Sequence, residues 1–239
     1  MRNRLVLIAP LLALVLAACG GGGSKSSSTS APTTTASTAP PTTASAAADT
    51  ALAQKLVFAQ TDFPSGWTAS PPTPDTPEDK ANSKELSACV GTAGDEAHSA
   101  DVKGNDFKQG ALTQVGAEAQ IVKDEATYRS DVAAVKGPKL QPCLKDFLTR
   151  ALTKALGSAP TSVQVSSLPT RSFGDVTVGL RLTLGLAVQG QNLTLYLDAV
   201  LMGRYRAEVT STYSNVGSPF DSALEGTLLN KLGARLTSS

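Results

Sequence analysis

The residue types that carry most enzyme and metal chemistry are scarce in this sequence. Its 239 residues include one histidine and three cysteines. A catalytic triad needs a histidine base, and His98 follows a polar, glycine-containing stretch in which no nucleophile is placed against it. We therefore interpret His98 as an exposed loop residue and predict that the protein is not an enzyme. The sequence indicates no catalytic residue and no cofactor.

An excess of positive charge is also absent. The chain has 21 Lys and Arg residues against 20 Asp and Glu residues, and it has no basic block or basic face interleaved with aromatic residues. Proteins that bind polyanions concentrate positive charge on one surface. Nucleic acid is therefore not a predicted partner. Walker and dinucleotide-binding motifs are missing as well.

No apolar run is long enough to cross a bilayer, which requires about 20 residues. The run Leu5–Ala18 follows Arg2 and Arg4 and leads directly into Cys19. A basic start, an apolar stretch and small residues before a cleavage point are the parts of a secretory signal. The sequence Leu16-Ala17-Ala18-Cys19 resembles the lipobox of bacterial lipoproteins. The alternative is an ordinary secretory signal with an incidental cysteine.

The lipobox resemblance implies cleavage before Cys19 and attachment of lipid, with palmitate-type acyl chains, to that residue. We predict a signal peptide over residues 1–18. We also predict localisation at the cell membrane, with the protein lipid-anchored on the extracytoplasmic face. The membrane is thus a predicted partner, held through the Cys19 anchor.

A low-complexity stretch follows the lipobox. Gly20–Ala48 contains no aromatic residue and no Leu, Ile, Val or Met, and its only charge is Lys25. Such a stretch cannot offset its ordering entropy by burial. We predict a disordered Gly/Ser/Thr/Pro/Ala tether over residues 19–50 and a single α+β extracytoplasmic domain over residues 51–239.

Cys89 and Cys143 remain as an even pair once Cys19 is acylated. In an exported domain an even pair implies a disulfide. Metal binding is the alternative, and it is weak because His98 is the only histidine and no second cysteine lies near either thiol. We predict a Cys89–Cys143 disulfide and no metal site.

Hydrophobic periodicity predicts the secondary structure. Apolar residues alternate with other residues over 114–122, 176–188 and 193–201, which is typical of strands. Apolar residues at helical spacing, Cys143 among them, form one stripe over 140–156, and Pro219 begins a last helix. The predicted fold class is α+β: an antiparallel β-sheet of four to six strands with helices packed on one face.

Two of these strands form a predicted hairpin whose polar face carries the candidate binding residues. Gly190-Gln191 suits a two-residue turn with glycine first, which sets Leu184 opposite Leu197 and Tyr196 opposite Gly185. Glycines in the strands leave room for a ligand, and arginines there can meet an anion. The alternative is a solvated face with cross-strand ion pairs. The candidates for a ligand face are Arg181, Tyr196, Asp198, Arg204 and Arg206.

The order of these parts resembles a known family. The tether precedes Asp62-Phe63-Pro64-Ser65-Gly66-Trp67, the Cys89 segment, the Cys143 helix, long strands and a helix introduced by Pro219-Phe220-Asp221. This order is similar to that of actinobacterial cell-envelope lipoproteins related to the extracellular sensor domain of mycobacterial serine/threonine kinases, and more distantly to PsbP-like domains. The resemblance covers about Ala51–Leu236 and implies a binding or sensing module. Those sensor domains typically carry two disulfides, whereas this chain can form one.

We predict a membrane-anchored, non-enzymatic lipoprotein that binds or senses a small envelope ligand or a partner protein. A carrier of lipid or another apolar ligand is the alternative, because the leucine-rich strand faces permit it. A carrier requires an unfilled apolar cavity, whereas a sensing module would have a filled core and a polar cleft.

Overall fold

The computed structural model describes residues 46–188 and 190–238. The predicted signal peptide over residues 1–18, Cys19 and most of the predicted tether lie outside the described residues. Lipidation and membrane anchoring therefore stay predictions.

The described part of the chain contains five α-helices, two 3₁₀ helices (Gln60–Asp62 and Asp95–Ala97) and one antiparallel sheet of eight strands. The α-helices are α1 (Ala46–Lys55), α2 (Pro77–Val90), α3 (Glu125–Val135), α4 (Leu140–Leu156) and α5 (Ser222–Thr237). The strands are β1 (Thr68–Ser70), β2 (His98–Lys103), β3 (Asp106–Gln109), β4 (Thr113–Val122), β5 (Ser162–Ser167), β6 (Val176–Val188), β7 (Gln191–Arg204) and β8 (Ala207–Val216). The α+β class is confirmed, but the predicted number of four to six strands was wrong.

The strand order is β1-β3-β4-β8-β7-β6-β5, with β2 also paired to β4. Pairing of β4 with β8 joins strands that lie far apart in the sequence, as Thr113 opposite Asn215 illustrates. The additional strands β1, β2 and β3 have three to six residues each. β1 is too short to show a period, and β2 and β3 contain only two and one apolar residues, so their alternation is weak.

Helices cover both faces of the sheet, so the prediction of helices on one face was wrong. Successive strand residues point to opposite faces, and both sets are buried along β7. Leu195 and Leu197 pack with α4, whereas Val200 and Met202 pack with α1 and α5. We call these the α4 face and the α5 face.

The β6–β7 hairpin forms as predicted but in a register shifted by two residues. Its ladder closes on Val188 opposite Gln191, and Leu184 lies opposite Leu195. Gly190 has a φ of +75°, a left-handed conformation that suits glycine at the second position of a hairpin turn. A shift of two residues keeps every side chain on its face, so the predicted buried leucines are still buried together.

The folded domain includes Ala46–Thr50, which the prediction assigned to the tether. Asp49 is 2% exposed, and it accepts hydrogen bonds from Arg206 Nη2 at 2.7 Å and from Ser99 Oγ at 2.5 Å. The cores on both sheet faces lie within residues 53–236. A protein of residues 46–239 thus contains every buried apolar residue described and is expected to fold by itself.

Candidate functional site

The disulfide between Cys89 and Cys143 is present, with Cα atoms 5.9 Å apart. It joins the last turn of α2 to the first turn of α4. Both helices lie over the same half of the α4 face. The bond therefore fixes the spacing of two helices above the sheet.

The helices above this face have well-defined ends. The Thr76 hydroxyl accepts from the N–H of Asp79 at 3.1 Å, and Asp79 accepts from the N–H of Thr76 at 2.8 Å, so a reciprocal capping box begins α2. Gly91 ends it at a φ of +93°. Asp124 caps α3 by accepting from the N–H of Thr127 at 2.8 Å.

The predicted ligand residues Arg181 and Asp198 lie directly opposite each other on β6 and β7. Arg181 donates from Nε and Nη2 to the two Asp198 carboxylate oxygens at 2.7 and 2.6 Å. Asp198 is 1% exposed. This is a bidentate, largely buried ion pair on the α5 face, and the carboxylate is fully engaged by the arginine.

Two of the other three candidates form hydrogen bonds elsewhere in the protein. Arg206 donates to Asp49 and to the carbonyl oxygens of Val122 and Lys123, and Arg204 donates to the carbonyl oxygen of Thr237. Along β7, Arg204 lies about 20 Å from Asp198 at the usual rise per residue. The third, Tyr196, lies opposite Thr183 rather than Gly185. The structure does not bring the five residues into one ligand face.

The strand glycines near them are covered by the chain itself. A Cβ at Gly179 would lie 2.5 Å from the carbonyl oxygen of Leu168, and one at Gly185 would lie 2.4 Å from the Thr161 hydroxyl. Neighbouring chain segments occupy the room that the prediction assigned to a ligand.

A cavity of about 170 Å³ lies instead on the α4 face, between the sheet and helices α2, α3 and α4. We call it the helix–sheet cavity. Its floor is divided by strand: β6 and β7 contribute apolar side chains, and β4 and β8 contribute polar ones. The floor residues are Val178, Leu180, Leu182, Leu197, Ala199 and Leu201 on the apolar side and Gln120, Glu208, Thr210 and Thr212 on the polar side.

The roof of the cavity follows this division in part, since Ser83 and Ser87 of α2 and Val135 of α3 also line it. Above the apolar floor lie leucines and a phenylalanine of α4 together with Leu86 and Val90 of α2. Above the polar floor lie Asp131 of α3 and the segment Thr92–Asp95, with His98 at the start of β2. The cavity is therefore amphipathic, with an apolar end and an acidic end, which we define by Asp95, Asp131 and Glu208.

Burial shapes the electrostatics of the acidic end. Desolvation, with the charge of Asp131 second, raises the pKa of Glu208 from 4.5 to about 7. Desolvation also raises the pKa of Asp131, although the N–H of Ala93 donates to its carboxylate at 2.6 Å. The pKa of Asp95 is raised mainly by burial. Each carboxylate at this end is thus less stable as an anion than in water.

His98 belongs to this site, contrary to the interpretation of an exposed loop residue. It is half-buried at the start of β2, and its Nδ1 atom is buried without a hydrogen-bond partner among the described residues. A buried nitrogen of this kind is uncommon in folded proteins. It leaves one polar atom near the acidic end without a hydrogen-bond partner among the described residues.

A glutamate outside the cavity makes the stability of the fold depend on pH. Glu225 of α5 is 5% exposed; burial, with Asp198 second, raises its pKa from 4.5 to about 7. The folded protein holds this proton more tightly than the unfolded chain. Its stabilisation is therefore complete below about pH 4.5 and is lost as the pH rises through about 7.

We expect Glu225→Gln to remove that loss. Its free energy of unfolding should rise relative to the wild type by about 3 kcal/mol between about pH 4.5 and about pH 8. Urea unfolding of both proteins at several pH values measures the difference. An equal pH dependence in the two proteins would contradict the prediction.

Comparison with known proteins adds little. No protein-family model matches the chain, and no curated protein matches it either. Among solved structures, the chain is similar to LpqN, described as involved in cell envelope biogenesis of Mycobacterium tuberculosis, with 9% sequence identity and a TM-score of 0.26 over 74% of this chain and 78% of that one. At this identity and TM-score the likeness carries no conclusion about fold, ligand or partner. The resemblance to kinase sensor domains stays a prediction.

The structure describes residues 46–188 and 190–238. In these ranges no helix combines the length and apolar character that a membrane span requires. The same ranges contain no group of three or more His, Cys, Asp or Glu side chains that could hold a metal ion.

Proposed function

We propose that this protein is a non-enzymatic, membrane-anchored binding module of the cell envelope that holds a small amphiphilic ligand in the helix–sheet cavity. One observation carries the proposal. The cavity combines an unfilled apolar space with a cluster of polar groups at one end, which is the usual composition of a small-molecule site. The anchor is the lipid on Cys19 that the sequence predicts.

The volume of the cavity limits the ligand. An apolar cavity of about 150 Å³ in another protein binds benzene, whereas sites for larger ligands measure about 300–1,000 Å³. A volume of about 170 Å³ suits one aromatic ring or the end of one alkyl chain. The leucine lining favours the carrier alternative. The cavity would, however, hold only one short segment of a lipid.

Methyl-detected NMR of the domain, residues 46–239, tests the proposal with benzyl alcohol as the probe. We expect shifts for Leu144, Leu182 and Leu197, which line the cavity. Leu228 and Leu232 lie in the core on the α5 face and should not shift, so they serve as internal controls. Equal shifts in both groups, or none, would contradict a site in the cavity.

A variant that fills the cavity provides the second test. Ala199 of β7 lines the cavity between Leu180 and Thr212, so a phenylalanine there would occupy the space of the probe. We expect Ala199→Phe to weaken benzyl alcohol binding at least tenfold without loss of the fold. Ala187→Phe places the same side chain at an exposed position of the hairpin and should bind like the wild type. Retained binding by Ala199→Phe would contradict the proposal.

A further inference from the structure

We propose that the acidic end of the helix–sheet cavity selects a ligand whose head is a primary ammonium or a similarly compact cation, joined to a small apolar group. This inference rests on the proposed function, because it names the ligand class for the same cavity. Three features carry it: the charges that line the cavity, the unmet hydrogen-bonding capacity at one end, and the position of that end relative to the apolar floor.

The charges in the cavity wall have one sign. Asp95, Asp131 and Glu208 come from three separate parts of the chain, and none of the described lining residues is a lysine or an arginine. His98 is the one described lining residue that can carry positive charge. Like charges in a poorly solvated site repel one another strongly. A bound cation would relieve the repulsion, whereas a bound carboxylate or phosphate would increase it.

The acidic end also has unused acceptors. No described group donates a hydrogen bond to the carboxylate of Glu208, and Asp131, at 2% exposed, receives one donor from the backbone of Ala93. An ammonium carries three donors and no acceptor, so it matches a carboxylate that no described group satisfies.

The arrangement of the two ends sets the shape of the ligand. Glu208 lies on β8, next to β7, whose Ala199 and Leu201 begin the apolar floor. A cation held at Glu208 therefore places the group attached to it over the leucines. An alkylamine or arylalkylamine fits both ends at once, while a free inorganic cation would leave the apolar end empty.

Benzylamine and benzyl alcohol form a matched pair of probes, because they share the ring and differ in the head. We expect the domain, residues 46–239, to bind benzylamine at least about tenfold more tightly than benzyl alcohol near pH 7.5, since charge-assisted hydrogen bonds are the stronger ones. Benzoate should bind more weakly than either. Titrations followed by the shifts of the cavity leucines give the three affinities.

Variants show which carboxylate is responsible. Glu208→Gln keeps the size of the side chain and removes its charge, so benzylamine should lose most of its advantage while benzyl alcohol binding stays within about threefold of the wild type. Glu225→Gln alters a buried glutamate on the opposite face of the sheet and should leave the advantage intact. Thermal unfolding of each variant establishes that it is folded.

The possible results separate the two proposals. If benzyl alcohol binds in the cavity and benzylamine binds no tighter, the inference is overturned and the proposed function stands. If Glu208→Gln still binds benzylamine more tightly than benzyl alcohol by the wild-type factor, the assignment of the acidic end as the cation site is overturned. If neither probe shifts the cavity leucines, the proposed function fails, and the inference fails with it.

Discussion

Arg181→Met should lower the free energy of unfolding by about 3–5 kcal/mol. The arginine holds both carboxylate oxygens of Asp198, whose side chain is 1% exposed. Without the arginine, that carboxylate stays buried and unpaired. Glu225, whose charge interacts with the same pair, would add repulsion. Urea unfolding at neutral pH measures the loss.

Substitution of the ion-pair partner, Asp198, provides a control for this prediction. The double substitution Arg181→Met with Asp198→Leu replaces the pair by apolar groups and should recover most of the stability. Arg129→Met breaks an exposed pair with Glu125, in which both side chains are more than half exposed, and should cost less than about 1 kcal/mol. Similar losses for Arg181→Met and Arg129→Met would contradict the role assigned to the buried pair.

Reduction of the Cys89–Cys143 disulfide should lower the free energy of unfolding by about 4 kcal/mol. The bond closes a loop with a sequence separation of 54 residues, and the chain-entropy relation gives about this value for a loop of that size. Cys89 is exposed, so a phosphine reductant has access to it. Urea unfolding with and without the reductant measures the difference.

The disulfide also spans the roof of the helix–sheet cavity, which gives a second measurement. With the bond removed, α2 is held to α4 by noncovalent contacts only, and benzyl alcohol should bind more weakly. The Cys89→Ala/Cys143→Ala protein should match the reduced wild type and should not respond to the reductant. Coincident unfolding curves for the reduced and oxidised wild type would contradict the prediction.

Much of the fold was predictable where one periodicity ran uninterrupted. β4, β6, β7, α4 and the last helix follow from regular spacing of apolar residues, because burial on one face repeats every second or about every fourth residue. The register of the hairpin was wrong by two residues for a local reason. Gly190 can be either the first or the second residue of a two-residue hairpin turn. Only its observed conformation distinguishes these two turns.

The second helical layer was not predictable in the same way. Thr210, Thr212 and Glu208 alternate with buried residues of β8 and have the composition of a solvated face. They instead form the floor of a cavity beneath α3 and the chain around His98. Polar residues beside an internal space and polar residues beside water give the same sequence pattern, because both satisfy their hydrogen-bonding groups away from the apolar core.

The candidate site was missed for a related reason. Predicted binding residues were charged side chains on long strands, yet Arg181 and Asp198 satisfy each other. The acidic end is assembled from separate segments, with Asp95, Asp131 and Glu208 more than 100 residues apart at the extremes. No spacing in the sequence marks such a group. The lone histidine was the one available signal, and its environment became evident only from its buried nitrogen.

The pairing of β4 with β8 has a kinetic consequence. Residues near 113 find their sheet partners near 215, and Asp62 of the N-terminal part pairs with Arg235 of α5. Contacts between residues this distant in sequence form late and slow folding. The N-terminal half therefore lacks its neighbouring strand until almost the entire chain has been synthesised. A polypeptide of this topology stays unfolded during synthesis for longer than one built from local contacts, and an unfolded chain is the form in which a protein can be threaded through a narrow export channel.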